Sequence, residues 1–481
     1  MNPVIKKLMP AVLGIAVLAL ASAHGQFIVN STGDADRWPV PLAACETDPF
    51  TPGDQCTLRA AIQTANLSPD SSTISFNIPT TDPGYNPQTG SYTINFQSAL
   101  PDISTDMTIS GPGAEKLTVM RSRATGTPSF RIFNVTTSGA VTVPPIKHVA
   151  TFSGLTIRDG AENESGGGIQ NANDGTVNIK NCALINNYSN DKGGAIFNAQ
   201  SGRVNVTNST LKFNTAYGEG GGGIFNVAGF INVSNSEFVN NTAGAFYPAA
   251  GGGIASAGGV VSVSGSTFFQ NIGRSAGGGI AGAGTLTVTN STFYANMVYN
   301  FGVGGAIYNS GTLNLSNCTL TGNFSDYQGS GVYNENGKIA NVKSTIIAAN
   351  YGGVFLMSLY PTFQIGEAPD VFGVFNSHGF NLIGKKDGST SLPATTDQKG
   401  TLAAPLDPKL DPKGLRNNGG STRTVALQRG SPAIDKGTSA SLAGTLATDQ
   451  RGFPRTVNNP AIANATGGDG TDIGAFELPA P

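Results

Sequence analysis

Apolar and polar residues alternate in short runs through the middle of the chain. In residues 204–207 (V-N-V-T) and again in residues 286–289 (L-T-V-T), every second residue is apolar. Alternation with a period of two is typical of a β-strand that buries one face. None of these runs has a helical spacing of apolar positions long enough to compete with it. The pattern therefore predicts a chain of short strands.

The alternation belongs to a repeat of about 27 residues. One apolar residue closes the glycine run of each repeat, and it recurs in steps of 25 to 30 residues at Ile169, Ile196, Ile224, Ile254, Ile280, Ile307 and Val332. An asparagine ends each repeat, and it recurs within the same range of steps at Asn187, Asn214, Asn241, Asn271, Asn296, Asn323 and Asn350. Because two independent markers keep one period, the chain contains structural repeats and not merely a biased composition.

A repeat of this size cannot bury its own inner face. Stacking coil on coil buries that face and pairs each strand with the strands above and below it, about 4.8 Å away. Stacked asparagines can then bond along the axis, and glycine allows the positive φ angles that tight corners need. The crossover rule sets the hand of the coil. The sequence thus predicts an all-β fold, a right-handed parallel β-helix (solenoid).

The first residues have the pattern of a secretory signal. Lys6 and Lys7 supply the charged start, residues 8–20 the apolar core, and residues 21–23 (A-S-A) a small-residue cleavage site. A membrane anchor is the alternative, but it needs about 20 apolar residues and a stop-transfer flank. We therefore expect a signal peptide at 1–23 and an exported protein, secreted or on the outer surface of the cell.

The repeat divides the rest of the chain into three regions. We expect an N-terminal cap with irregular first coils at 24–150, regular coils at 151–350, and final strands with a C-terminal cap at 351–481. Apolar residues on one helical face follow the candidate N-cap Thr57: Leu58, Ala61, Ile62 and Ala65. A short helix there is expected to cover the open strand edges of the first coil.

The C-terminal region is rich in charges of both signs. These charges are Asp435, Asp449, Arg451, Arg455, Asp472 and Glu477. We interpret them as an irregular cap held by hydrogen bonds and ion pairs, and regard a ligand site as the lesser alternative.

Charge and cysteine content narrow the partners and the covalent links. A net charge of −2 with 12% charged residues argues against nucleic acid, and no stretch after the signal could span a membrane as a helix. We expect a monomer. Cys45 and Cys56 are close enough in sequence for a disulfide in an exported chain. Cys182 and Cys318 are five coils apart, about 24 Å, and should stay free and buried.

A motif near the N-terminus and segments of the repeats each resemble a known protein family. Residues 56–62 (C-T-L-R-A-A-I) resemble the motif of the exported β-helix family named for C-S-L-R-E-A, with Ala60 where that family has glutamate. The G-G-A-I and F-x-x-N segments of the repeats are similar to those of chlamydial polymorphic outer-membrane proteins.

The C-terminal motifs resemble the choice-of-anchor Q group of bacterial surface proteins. They are N-G-G-S-T-R-T-V-A-L at 418–427, G-S-P-A-I-D at 430–435, D-Q-R-G at 449–452 and D-I-G-A-F-E at 472–477. Together these resemblances span nearly all of the chain after the signal. They imply a right-handed β-helix that is displayed or secreted by a bacterium, and they imply no particular activity.

Three carboxylates occupy one repeat position in successive coils. Glu164, Asp191 and Glu219 each lie five residues before the closing apolar residue, so they should stack about 5 and 10 Å apart. Carboxylates that close can bind a cation such as Ca²⁺, and paired carboxylates also hydrolyse glycosidic bonds. A solvated acidic turn is the simpler interpretation, and we commit to no catalytic residue.

Rings occupy the position after the closing apolar residue in four coils. They are Phe197, Phe225, Tyr308 and Tyr333, with Ala255 and Ala281 between them. Strand alternation points this position outward, so the rings could form a sugar-binding or partner-binding stripe. Ring-on-ring stacking that only stabilises the strands is the simpler alternative.

These observations favour display over catalysis. We expect an exported surface or secreted β-helix protein that contacts extracellular matrix, polysaccharide or another cell-surface partner. The alternative is a polysaccharide lyase or glycoside hydrolase of the pectate-lyase-like β-helix type, because that fold hosts many such enzymes. Fold alone is weak evidence for an activity. We expect no cofactor other than calcium.

Overall fold

The computed structural model describes residues 25–39, 45–50, 55–68, 70–136, 147–172, 174–244, 250–352 and 368–479. The signal sequence expected at 1–23 lies outside these residues. Within them the chain is nearly all β and forms a parallel β-solenoid of about nine turns, with one short helix near the N-terminus. The predicted fold class is confirmed.

Each regular coil contributes one strand to each of four sheets, which we number in the order in which one regular coil, such as 176–198, passes through them. Strands pair in parallel throughout the four sheets except at one N-terminal hairpin in sheet 2. Sheet 1 contains Gly25–Val29, Ser72–Phe76, Met107–Ser110, Val149–Ser153, Thr176–Lys180, Arg203–Thr207, Phe230–Ser234, Val260–Ser264, Thr285–Thr289, Thr312–Ser316, Ile339–Lys343 and Asn376–Ser377. Sheet 2 contains Tyr85–Asn86, Ser91–Phe96, Leu117–Arg121, Thr156–Arg158, Ala183–Ile185, Thr210–Lys212, Glu237–Val239, Thr267–Phe269, Thr292–Tyr294, Thr319–Thr321, Ile346–Ile347, Leu382–Ile383 and Gln398–Lys399.

The other two sheets complete the coil. Sheet 3 contains Ala161–Glu162, Tyr188–Ser189, Thr215–Ala216, Thr242–Ala243, Ile272–Gly273, Met297–Val298, Phe324–Ser325 and Tyr351–Gly352. Sheet 4 contains Phe133–Val135, Ile169–Asn171, Ile196–Asn198, Ile224–Asn226, Ile254–Ser256, Ile280–Gly282, Ile307–Asn309, Val332–Asn334, Val371–Val374 and Gly388–Ser391. A separate hairpin pairs Ala440–Ser441 with Gly444–Thr445.

Both repeat markers stack as the period predicts. The closing apolar residues pair in register along sheet 4, from Ile169 through Ile196 to Val332. The repeat-ending asparagines form a buried row at the turn between sheets 2 and 3. Each Nδ2 in this row donates to the Oδ1 of the next asparagine over 2.8–3.0 Å. Because a buried amide without a partner costs about 1–3 kcal/mol, the row favours this one register.

The interior of the solenoid is one continuous apolar core. Inward positions of sheets 1 and 4 carry mostly Ile, Val and Leu. In sheet 2, Phe238, Phe268 and Phe293 stack face to face with ring centroids 4.7 and 4.6 Å apart. These separations match the strand spacing, so each ring packs on the ring of the next coil.

The N-terminal helix is Leu58–Ala65, and Thr57 is its N-cap. The Thr57 hydroxyl accepts a hydrogen bond from the Ala60 N–H over 3.1 Å, as the sequence predicts. Arg59 has a structural role, because its Nε contacts Asp34 at 2.7 Å and its other nitrogens donate to the Ser98 and Ala99 carbonyls. The helix therefore anchors the first loops to the core.

The four cysteines divide into a bonded pair and a free pair. Cys45 and Cys56 form a disulfide with Cα atoms 5.1 Å apart. Cys182 and Cys318 are free and buried. Burial raises the pKa of the Cys182 thiol to about 11 and that of the Cys318 thiol to about 12. Both thiols therefore stay protonated at neutral pH and pack as small apolar groups.

The C-terminal segment follows the last coil and also packs along the side of the solenoid. From about Leu410 onward it lies along the outer face of sheet 2 and contacts coils far from the last one. Thr422 donates to the Gly265 carbonyl over 2.9 Å, and the Ala475 N–H donates to Thr319 over 3.0 Å. The underlying threonines are fully buried as a result: Thr267, Thr292 and Thr319. A second apolar cluster fills the space beneath the segment.

The three distal C-terminal motifs bind one another. The Asp435 N–H donates to Asp472 over 2.8 Å, the Glu477 N–H donates to Asp449 over 3.1 Å, and Arg451 pairs with Asp449 at 2.7 Å. All four carboxylates are buried. Burial raises the pKa of Glu477, and the neighbouring Asp472 raises it further. The charge-rich set thus holds the segment together as expected, although it does so beside the coils.

Candidate functional site

The candidate site lies on the outer surface of sheet 4. The residues after each closing apolar residue pair in register from coil to coil, and we call them the sheet-4 row. In order along the axis they are Gln170, Phe197, Phe225, Ala255, Ala281, Tyr308, Tyr333 and Phe372.

The rings of this row form two stacks. Phe197 and Phe225 have ring centroids 6.1 Å apart and an interplanar angle of 17°. Tyr308 and Tyr333 are 5.7 Å apart, and Tyr333 and Phe372 are 4.8 Å apart, again nearly parallel. Ring-on-ring stacking is therefore present, and it leaves the ring planes facing along the axis of the solenoid.

Ala255 and Ala281 interrupt the stacks and leave a gap two coils wide. Phe225 and Tyr308 are three strand steps apart, about 14 Å at the usual spacing. A cavity of about 280 Å³ lies between them, with Ala255 and Ala281 among its lining residues. We call this cavity the ring gap. Its walls are apolar rings at both ends, and small side chains form its floor.

Polar groups line the edge of the ring gap. Glu219 lies at one side of the gap, and its side chain is 59% exposed. The Nζ atom of Lys192 is 3.0 Å from Oε2 of Glu219. The same Lys192 Nζ is 5.5 Å from the centroid of the Phe225 ring. Ser310 lies beside Tyr308 and donates to the Gly282 carbonyl over 3.3 Å. The gap thus combines flat apolar walls with hydrogen-bonding groups.

The two tyrosines remain neutral phenols at ordinary pH. Burial raises the pKa of Tyr308, and the Glu335 carboxylate raises it further. Burial and Glu335 act in the same direction on the pKa of Tyr333. Each hydroxyl therefore keeps its proton at neutral pH, and the Tyr308 hydroxyl is already hydrogen-bonded to Glu335 and Ser310.

The predicted outward stripe is only partly exposed. Phe197, Tyr308 and Tyr333 are half-buried, whereas Phe225 is only 5% exposed. Phe225 is buried because Phe197 covers one face of its ring and Lys192 reaches over it. The rings are thus better described as two stacks with a gap than as one continuous open platform.

The three predicted acidic residues do follow one another in successive coils. The Asp191 N–H donates to the Glu164 carbonyl over 3.3 Å, and the Ser165 hydroxyl donates to Asp191 over 2.9 Å. Glu219 pairs with Lys192. No three His, Cys, Asp or Glu side chains of the described residues are grouped closely enough to hold a metal. Calcium binding and sugar hydrolysis at these residues stay predictions, and this geometry adds no support to them.

Sequence reasoning missed the role of the two alanines. In the sequence, Ala255 and Ala281 are interruptions of an aromatic row. In the structure they define the site, because their small side chains leave the space of the ring gap unfilled. Lys192 was also missed as a rim residue. The available signal was the spacing itself, since two small residues between two pairs of rings imply a recess two coils wide.

Comparison with protein-family models, with curated proteins and with solved structures finds no match. The fold itself defines the class of protein, which is a β-solenoid of about nine turns. Among the described residues, no helix is both long enough and apolar enough to cross a membrane.

Proposed function

We propose that the protein is an exported β-solenoid that binds extracellular polysaccharide through the ring gap. The observation that carries this proposal is the recess over Ala255 and Ala281, which both Phe225 and the half-exposed Tyr308 line. A pyranose ring has a face of C–H groups that packs on an aromatic ring. It also has a rim of hydroxyl groups that need hydrogen-bond partners. The ring gap offers both kinds of contact.

The size of the ring gap limits what enters it. Its volume of about 280 Å³ is at the lower end of ligand pockets, which are roughly 300–1,000 Å³. It therefore suits one sugar unit packed on the half-exposed Tyr308 ring, with the rest of the polysaccharide lying over the neighbouring coils. Glu219, Lys192 and Ser310 are the partners for its hydroxyl groups.

Export and surface location rest on the sequence. The N-terminal pattern at 1–23 supports export. The C-T-L-R-A-A-I motif and the C-terminal motifs support membership of the C-S-L-R-E-A and choice-of-anchor Q group, with repeats similar to chlamydial outer-membrane proteins. A stiff solenoid that holds one binding recess suits adhesion to a matrix or a cell surface.

Binding without bond cleavage is the proposal, rather than a lyase or a hydrolase. Glycosidic hydrolysis ordinarily uses two carboxylates about 5 to 9 Å apart. Among the described residues that line the ring gap, Glu219 is the one carboxylate, and it is paired with Lys192.

The proposal is tested by a substitution that fills the ring gap. Ala281→Phe would extend the Tyr308 stack by one ring and occupy half of the recess, so the fold should be kept. We expect the wild-type protein to bind at least one polysaccharide of a neutral and acidic panel in surface plasmon resonance, and Ala281→Phe to bind it at least tenfold more weakly. Tyr308→Ala should weaken it similarly. Phe230→Ala removes an exposed ring from sheet 1 and serves as the control.

Two results would contradict the proposal. One is wild-type affinity in Ala281→Phe together with an unchanged circular dichroism spectrum. The other is a panel on which the wild-type protein binds nothing above the background of the Ala281→Phe protein.

A further inference from the structure

A second cavity, of about 300 Å³, lies where sheet 2 turns into sheet 3. It is lined by Arg121, Arg123, Asp159, Tyr188 and Phe213, among others. These five residues come from four successive coils, and none of them is a repeat marker or a predicted site residue. We call this cavity the arginine groove.

The one carboxylate in the arginine groove is already fully bonded. Arg123 donates to both oxygens of Asp159, over 2.9 and 2.7 Å, and Asn186 donates to Oδ1 over 2.5 Å. Arg158 Nε lies 3.2 Å from Oδ2. The Asp159 side chain is 3% exposed. Asp159 therefore orients the arginines but is closed to a ligand.

Positive charge is left over around this carboxylate. The guanidinium groups of Arg123 and of Arg158, which borders the groove, contact the Asp159 carboxylate, and that of Arg121 lies beside them. Arg121 donates to main-chain carbonyls, and its Nε lies 3.1 Å from the carbonyl oxygen of Asp159. The side chains of Arg123 and Arg158 are 55% and 41% exposed. Arg158 Nε is buried, and its contact with Asp159 at 3.2 Å is an ion pair without hydrogen-bond geometry. The groove thus carries a formal surplus of two positive charges that faces solvent.

Two rings flank these arginines. Phe213 is 51% exposed although its φ is 57°, a left-handed conformation that bulky residues rarely adopt. Tyr188 lies in the neighbouring coil with its ring 5.9 Å from that of Tyr217. The positive φ is shared with the equivalent corners of other coils, such as Asn186 and Asn240, so the observation that matters is the exposed ring beside the arginines. Its exposed face is available to pack against a ligand.

We propose that the arginine groove binds a uronate unit of an acidic polysaccharide. The planar guanidinium groups of Arg123 and Arg158 match a carboxylate, which they can bind through two parallel hydrogen bonds. The ring of Phe213 offers a flat surface to the C–H face of the same sugar. A neutral sugar would leave the surplus charge unused.

The test uses the full protein and two matched ligands. Isothermal titration calorimetry in 50 mM NaCl compares hexameric oligogalacturonate with its fully methyl-esterified form, which is neutral. We expect the acid to bind at least tenfold more tightly than the ester, and its affinity to fall as NaCl is raised to 300 mM. Equal affinity for acid and ester would overturn the proposal, and so would tighter binding of a sulfated glycan than of the uronate.

Variants separate this site from the general charge of the protein. Arg158→Gln removes one guanidinium without removing a hydrogen bond of Asp159, and it should lower affinity for the acid about tenfold. Arg203→Gln makes the same charge change on sheet 1 and should leave affinity within twofold. Phe213→Asn should also weaken binding about tenfold while raising the thermal midpoint, so the loss cannot come from unfolding. If Arg158→Gln and Arg203→Gln behave alike, the site is not the arginine groove.

This proposal stands apart from the ring gap. Ala281→Phe fills the ring gap on sheet 4 and should leave binding of oligogalacturonate at the arginine groove unchanged. Loss of uronate binding in Ala281→Phe would place the uronate in the ring gap and overturn the assignment made here.

Discussion

Phe213 places a large ring at a left-handed corner that the other described coils fill with small or polar residues, among them Gln270 and Ala295. The equivalent corners before and after it hold Asn186 and Asn240, with φ angles of 55° and 51°. Asparagine tolerates this left-handed conformation, because its short polar side chain can bond locally, whereas a bulky side chain is strained there. Such strain costs of the order of 1–3 kcal/mol and tends to persist where function requires it.

We therefore expect Phe213→Asn to stabilise the protein. The free energy of unfolding, measured by guanidinium denaturation, should rise by about 1 kcal/mol because the strain is relieved and an exposed ring loses little packing. Phe230→Asn is the control, since Phe230 is also exposed but has no positive φ. A fall in stability for Phe213→Asn would show that the ring packs usefully where it is.

Asp370 ends the buried asparagine row with an acid. Its Oδ1 accepts hydrogen bonds from the side chain and the backbone N–H of Asn350, both over 2.9 Å. Burial raises the pKa of Asp370 to about 6, although Lys385 opposes the shift. The folded state therefore binds a proton more tightly than the unfolded chain, whose aspartate pKa is about 3.9. The stability that this group contributes is full below about pH 4 and is lost as pH rises through 6.

We expect Asp370→Asn to remove this pH dependence. The amide can accept the same two hydrogen bonds without carrying a buried charge, so the variant should be more stable than wild type at pH 7 by about 2 kcal/mol. Below pH 4 the two proteins should be nearly equal. Urea denaturation from pH 4 to pH 7 measures the difference, with the exposed Asp407→Asn as control. A difference that does not change with pH would contradict the account.

At the scale of the element, two kinds of asparagine row run along the solenoid and differ in burial. The inner row, which includes Asn241, Asn271 and Asn296, is fully buried. An outer row on sheet 1 joins Asn232 to Asn205 over 2.8 Å at the surface. The geometry of the amide-to-amide bonds is similar, but the inner row, unlike the outer one, is shielded from water that could replace a lost partner. Burial should therefore decide how much each row stabilises its sheet.

Breaking the inner row should cost far more than breaking the outer one. Asn271→Ala leaves the buried Asn241 N–H without its acceptor. It also removes one hydrogen bond from each of the Asn241 amide, the Phe238 carbonyl and the Asn296 oxygen. We expect a loss of about 3 kcal/mol or more in the free energy of unfolding. Asn232→Ala should cost less than about 0.5 kcal/mol, as exposed substitutions usually do. Equal losses in chemical denaturation would contradict this division.

At the scale of the whole molecule, periodicity explains what could be predicted from the sequence. The repeat makes residues such as Ile196 and Ile224 neighbours in adjacent coils. The stacking of the coils, the strand register and the separation of Cys182 from Cys318 could therefore be predicted from the sequence. The path of the C-terminal segment along the side of the solenoid could not be predicted from the repeat. Gln450 bonds to Thr292, 158 positions earlier, and no period or pattern connects the two.

The candidate sites were predictable to different degrees. Tyr308 and Phe225 were found because they share a repeat position, but the recess between them depends on what Ala255 and Ala281 lack. The arginine groove was missed entirely. Its residues come from irregular and regular coils together, and no repeat position relates Arg123 to Phe213.

The claim on which both sites depend is that residues one repeat apart lie directly above one another. Asn178, Asn314, Asn341 and Asn376 share one row on the outer face of sheet 1. Double electron–electron resonance between spin labels at Asn178 and at each of the other three tests the claim. The pairs are five, six and seven strands apart, so distances near 24, 29 and 34 Å are expected, rising by about 5 Å per repeat. Distances that do not rise in equal steps would contradict the stacked solenoid and both binding sites built on it.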